Sequence, residues 1–167
     1  FTDISPKRIL KFGDKENFWE MGSTGPCGPC SEIHYYVGDL DKQNKSGVNK
    51  TEEYRELWNL VFMQFNRNEK GKLENLSKKH VDTGLGLERI VATLNNLDDH
   101  YKTDLFYPII EKIIKISDKK YSFKNGIPHR VIADHLRMIS FSISDGIMPS
   151  NEGRGYVVRR VLRRASR

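Results

Sequence analysis

The segment Leu57–Asn66 constrains the fold more than any other, because it is apolar on two opposite faces at once. Alternation along an extended chain sends Trp58, Leu60 and Phe62 one way and Asn59, Val61, Met63 and Phe65 the other. A strand of this kind is expected to be buried on both faces, which places it inside a sheet with material above and below. One residue breaks the pattern. Asn59 is a single amide among apolar neighbours, and a buried amide must find partners or cost about 1–3 kcal/mol. A bond to backbone is its plainest explanation.

The chain on either side reads as follows. Asp14 to Gly28 is rich in Gly, Pro and small polar residues and predicts an irregular loop, and Ile33 to Val37 then predicts a strand. Asp39 to Thr51 is polar and predicts an exposed insertion. Lys70-Gly71-Lys72 is a turn and Val81-Asp82-Thr83 a short strand. Gly84-Leu85-Gly86 leads into a helix with apolar spacing at Leu87, Ile90, Val91 and Leu94. Beyond Asp98 the pattern becomes wholly helical, with one stripe at Leu105, Ile109, Ile113 and Ile116. A second runs through Val131, His135 or Leu136, Ile139 and Ile143 and ends at Gly146. The last element, Gly155 to Ser166, predicts an amphipathic helix with Tyr156, Val157, Val161, Leu162 and Ala165 on its apolar face and arginines elsewhere. No internal repeat is visible.

The 167 residues suffice for one core, or for an incomplete domain running into a second, and the second reading fits the change from mixed to helical pattern. The expected division is 1–103 and 104–167. With 37% hydrophobic and 30% charged residues the chain can bury a core, and it has no apolar run of the roughly 18 residues a membrane span needs. The start, Phe1-Thr2-Asp3, carries no targeting signal, and the absence of an initiator Met is expected of a segment of a longer protein. Cys27 and Cys30 are too close in sequence to make a useful staple, so a reducing compartment, the cytoplasm or an organelle, is expected. The net charge of +6 is concentrated at the end. Six arginines between Asn151 and Arg167 face one acid, Glu152, and a focused basic element of this kind attracts a polyanion.

Val81-Asp82-Thr83-Gly84-Leu85-Gly86-Leu87-Glu88-Arg89 carries the chemistry. Glycines at the mouth of a helix let backbone approach a phosphate closely, and an Arg one turn in can clamp a polyphosphate with its planar fork. Alone, such a turn is a weak signal. Gly84 to Arg89, however, resembles the third signature motif of class II aminoacyl-tRNA synthetases. Four further blocks are similar to the alanine-specific members of that family, in the same order: Asn17 to Gly22, Thr24 to Ile33, Leu57 to Arg67, and Ile147 to Asn151 with Arg154-Gly155-Tyr156. The polar insertion at Asp39 to Thr51 and the Lys/Asn-rich stretch at Lys115 to Asn125 have no counterpart in the resemblance.

The resemblance implies activation of alanine by ATP to alanyl-adenylate and transfer to the 3′ end of tRNA(Ala). Catalysis of that kind rests on positioning and charge stabilisation, so the expected cofactors are ATP and Mg²⁺. By the same resemblance Asp82 holds the alanine ammonium, while Trp19, Asn59 and Val61 form the pocket for its methyl and carboxylate. Gly84 leaves the space a larger residue would fill. Glu32, Gly84, Gly86 and Arg89 meet ATP, with Arg89 on the γ-phosphate and Glu32 beside Mg²⁺ or the nucleotide. Catalysis thus falls to Asp82 and Arg89. Asn151 resembles an acceptor-stem-reading Asn, and Arg160, Arg163 and Arg164 are expected to touch tRNA phosphates or to form a solvated face. A pocket built for one methyl separates alanine from glycine or serine by only about 1–3 kcal/mol, so editing is expected elsewhere in a longer protein.

Two other readings compete. Cys27-Gly28-Pro29-Cys30 also matches the tetrapeptide of thioredoxin-like oxidoreductases, but Ser31 to Tyr36 reads as a strand and removes the helix N-terminus that acidifies such a thiol. A structural zinc site lacks a second close Cys or His pair. The other rival is a non-catalytic RNA-binding module built on the C-terminal arginine helix. The first two class II motifs are absent, so the chain alone is expected to be inactive. The fold expected is α/β in the α+β sense: part of an antiparallel class II sheet, then an all-helical extension. Exposed sheet edges and poor stability follow unless upstream and downstream segments cover them.

Overall fold

The computed structural model describes residues 3–167. Phe1 and Thr2, read above as a start without a leader, lie outside the described residues. The chain divides between Asp98 and Asp99 into a sheet-bearing unit and a helical unit.

The first unit is an antiparallel meander in the order β1 (Phe18–Glu20), β2 (Gly25–Tyr36), β3 (Tyr54–Arg67), β4 (Leu73–Leu85). A one-turn helix α1 (Asp14–Asn17) precedes β1, and α2 (Leu87–Leu94) follows β4. The fold is thus α+β, as expected. Much of the stretch predicted as a loop between Asp14 and Gly28 is instead α1, β1 and the start of β2. Gly28 serves a strand irregularity. Cys27 pairs with Phe65 and Cys30 with Val61, so two β2 residues lie between those pairs against three on β3. At Gly28 a Cβ would sit 2.1 Å from the Phe62 carbonyl oxygen, so only glycine fits where the two backbones close up.

β3 occupies the inside of the sheet but is not buried on both faces. Leu57 and Val61 are buried, whereas Trp58 and Phe62 on the other face are about two-fifths exposed, at 38% and 40%. No layer of this unit covers that side, and Ile33, Val81 and Leu85 are exposed with them. β4 is longer than the short strand predicted and almost wholly exposed. The polar insertion at Asp39 to Thr51 forms two short 3-10 turns, each opened by a side chain, Asp39 or Asn44, accepting a backbone N–H two residues on.

The second unit contains α3 (Tyr107–Ser117), α4 (Ile127–Ser144) and α5 (Gly153–Ala165). Its core is Phe106, Ile110 and Ala133, with Ile109, Ile113 and Tyr121 packed around it. Asp99 is fully buried, accepting the Tyr101 backbone N–H at 2.9 Å and the Tyr121 hydroxyl at 2.5 Å. Burial and the Asp99 carboxylate push the Tyr121 phenol well above its ordinary value. The Lys115 to Asn125 stretch is thereby tied to the start of the unit. In α5 the buried positions are Gly155 and Val158, with Val161 and Ala165 of the predicted apolar face half-buried beside them, whereas Tyr156, Val157 and Leu162 of that face are exposed. At Gly155 a Cβ would meet the Met148 carbonyl oxygen at 2.4 Å, so bare backbone faces the loop before the helix. Among the described residues no helix is long and apolar enough to cross a membrane.

Candidate active site

Residues directly opposite one another in a sheet share a face, so the register alone assembles the site. Glu32 pairs with Asn59 and Asn59 with Gly84, giving one row across β2, β3 and β4. Cys30, Val61 and Asp82 form the adjacent row. The structure therefore brings Glu32, Asn59, Val61, Asp82 and Gly84 to a single face.

A second irregularity extends it. Ile33 pairs with Trp58 but His34 with Glu56, leaving Leu57 as the extra residue on β3. Without that bulge Glu56 would fall on the opposite face. With it, Glu56 stands beside His34, and His34 follows Glu32 on the same side of β2. The His34 Nε2–H donates to Glu32 Oε2 at 2.9 Å, and Asn59 Nδ2 donates to Glu32 Oε1 at 3.2 Å. Burial pushes the Cys30 thiol above its usual value, and the Glu32 and Glu56 carboxylates add to the shift, as they must if all three groups share the face.

Asp82 lies inside β4, and α2 begins five residues later with Gly86 at its N-cap position, so Asp82 is not a helix cap. Its carboxylate is exposed and accepts the neighbouring Thr83 N–H at 2.9 Å. A Cβ added at Gly84 would meet nothing within 4 Å, so the space over that position is open. The Gly86 N–H donates to the Leu57 carbonyl at 3.1 Å, which fastens the turn to the bulge. Arg89, in the first turn of α2, donates to the Glu56 carbonyl at 2.8 Å and lies 3.8 Å from its carboxylate. The guanidinium is therefore at the margin of the Glu32–Asn59–Gly84 face. Trp19 is the exception among the sheet candidates. It sits on β1 opposite Gly28, separated from Asn59 and Val61 by β2.

Sequence reasoning missed Glu56 and His34. An acid just before an apolar strand was the available signal for Glu56, but its face depends on a bulge that pairing reveals. The redox reading loses its geometry: Cys27 and Cys30 are buried free thiols within a strand. Among the described residues no group of three or more His, Cys, Asp or Glu is clustered as a metal site.

In the helical unit Asn151 precedes α5 and its Oδ1 accepts from Arg159. Arg160 lies over the Tyr156 ring at 5.8 Å, and Arg163 and Arg164 are exposed in the last turn. A basic helix with an aromatic on its open side can meet phosphate and stack on a ring.

A family model described as tRNA synthetases class II (A) matches residues 1–167. The chain belongs to that family. Among curated relatives, the synthetase segment is 57% identical to the alanine–tRNA ligase of Chlorobium chlorochromatii (strain CaD3), over 99% of this chain and 19% of that protein. It is 50% identical to that of Sulfurovum sp. (strain NBC37-1), over 98% of this chain and 20% of that protein. For that of Myxococcus xanthus (strain DK1622) the identity is 49%, over 98% and 19%. The synthetase segment thus spans about a fifth of the length of the curated relatives it matches.

Proposed function

We propose that this segment belongs to an alanine–tRNA ligase, and that it supplies the amino-acid side of the adenylate-forming site together with part of the tRNA-binding surface. The observation that carries the reading is the double row Glu32–Asn59–Gly84 and Cys30–Val61–Asp82, with Arg89 at its margin. Asp82 pairs with the alanine ammonium. Val61 offers the methyl an apolar contact, and the open space over Gly84 receives it. Trp19 is assigned to the rim of that pocket. Gly84 and Gly86 let the nucleotide approach backbone, and Arg89 exchanges its 3.8 Å contact with the Glu56 carboxylate for the triphosphate.

Two carboxylates on one face beside a free substrate surface suit Mg²⁺, which binds through one or two carboxylates plus substrate phosphates rather than through an all-protein cage. Glu56 would hold it first, with Glu32 as the second acidic neighbour, because both Glu32 oxygens already accept bonds from Asn59 and His34. When bound, the ion neutralises phosphate charge. The chain's own contribution is orientation: one carboxylate for the ammonium and one guanidinium for the phosphates, held on a rigid turn.

Asn151, Arg160, Arg163 and Arg164 are assigned to the acceptor stem of tRNA(Ala), and the parent enzyme to the cytoplasm. Domain limits of 1–103 for the catalytic part and 104–167 for tRNA recognition belong to the same proposal. The test is alanine-dependent exchange of pyrophosphate into ATP by the intact parent enzyme. Asp82→Ala and Arg89→Ala are each expected to lower kcat/KM by about a hundredfold or more, the scale of losing one charge-stabilising group. Wild-type rates in both variants would refute the assignment. The 167-residue chain alone is expected to show no exchange.

A further inference from the structure

Glu32 is the centre of a small chain of orientation that the sheet register builds. Asn59 Nδ2 donates to one of its oxygens at 3.2 Å and His34 Nε2 to the other at 2.9 Å. The His34 and Glu32 side chains are only 12% and 17% exposed, so water does not compete freely for either bond. A carboxylate accepts and cannot donate, which settles two ambiguities at once. The imidazole must carry its proton on Nε2, and the Asn59 amide must turn its NH₂ toward Glu32. The Asn59 carbonyl oxygen is then left over. It is buried and, among the described residues, has no hydrogen-bond donor, and the same is true of His34 Nδ1. A buried acceptor without a donor costs about 1–3 kcal/mol, and a ligand that brings a donor recovers it. Gly84, directly opposite Asn59, adds no side chain that could fill the place.

We propose that His34 is a positioning residue: by fixing the Glu32 carboxylate it fixes the Asn59 amide, so that the pocket presents an acceptor oxygen to the substrate ammonium beside Asp82. This rests on the reading that the face receives alanine. The bulge at Leu57 also sets Glu56 opposite His34. If the amide were reversed, its NH₂ would face the ammonium, and the pocket would repel the group it selects.

The experiment uses the intact parent enzyme and measures pyrophosphate exchange with His34→Phe, His34→Gln and Asn59→Ala. His34→Phe is expected to raise the KM for alanine about tenfold with kcat and the KM for MgATP within twofold, the loss of one charge-assisted hydrogen bond from binding alone. His34→Gln, which can still donate, is expected to restore most of the affinity. Inhibition by alaninol, which has the ammonium but no carboxylate, should weaken in parallel, and inhibition by lactate, which has the reverse, should not. In an Asn59→Ala background His34→Phe should have no further effect. An unchanged alanine KM, equal rises for alanine and MgATP, or multiplicative effects with Asn59→Ala would each overturn the proposal. If thermal unfolding shows that His34→Phe is not folded, His34→Ala takes its place, with the same alanine-specific loss expected and its absence counting against the relay. A wild-type parent without alanine-dependent exchange would instead sink the functional reading itself.

Discussion

The two units solve the problem of burial differently. In the helical unit Asp99, Thr103, Ile110 and Ala133 are at most 2% exposed, and a buried carboxylate has both oxygens engaged. In the sheet unit the longest strands leave Trp58, Phe62, Val81 and Leu85 open, and the residues placed in the site, Asp82 and Arg89, are exposed. Helices closing on near neighbours can complete a core within about 70 residues, whereas a four-stranded meander has two faces and two edges to cover. The helical unit is thus packed for stability. The sheet unit leaves much of its surface exposed, and the candidate site lies on it.

That contrast can be broken most sharply by paired truncations in the isolated chain. Ile110→Ala removes a side chain with no exposed surface and is expected to cost about 2–5 kcal/mol of the helical unit's unfolding free energy. Phe62→Ala, on the open face, is expected to change stability by less than about 1 kcal/mol. Urea titration followed by circular dichroism measures both, and equal losses would show that the sheet face is covered after all. Gly84→Ala comes next. Nothing obstructs the added methyl, so folding should be unaffected while the parent's KM for alanine rises about tenfold, the scale of one misplaced methyl in a tight pocket. A matching fall in melting temperature would move Gly84 from the pocket to the scaffold. In the helical unit, Gln at Arg160, Arg163 and Arg164 should flatten the salt dependence of tRNA binding, the slope falling by about one for each phosphate no longer neutralised. An unchanged slope would leave those arginines as a solvated face. The smallest effect concerns the two thiols: the chain with dithiothreitol should reduce insulin no faster than dithiothreitol alone.

The same contrast explains what the sequence disclosed. Elements whose signal is local were legible: the Gly84–Gly86 turn before a helix, the presence of α3 and α4, and Asn59 as a lone amide in an apolar strand, although Ile110 and Ala133 are buried outside the predicted stripes and Ile116 is 75% exposed. The site was half legible. Asp82, Asn59, Val61, Gly84 and Glu32 reach one face because strand alternation and the antiparallel order carry them there. Glu56 was not, because a bulge sets its face, and a bulge is a property of two strands together; His34 follows Glu32 by alternation and gains its place only from that neighbour. Composition misled at Asp14 to Gly28, where Gly28 read as loop but serves a close approach between β2 and β3. In α5 it misled in part: Val161 and Ala165 lie beside the buried Gly155 and Val158, but the larger Tyr156, Val157 and Leu162 are exposed.

Binding of a non-hydrolysable alanyl-adenylate analogue to the intact parent enzyme, measured by calorimetry for the wild type and Asp82→Asn, tests the account at its centre. Asp82→Asn keeps the shape of the side chain and removes its charge, so the account predicts a Kd about a hundredfold weaker, with affinity for ATP alone unchanged. Equal analogue affinities in the two proteins would contradict it.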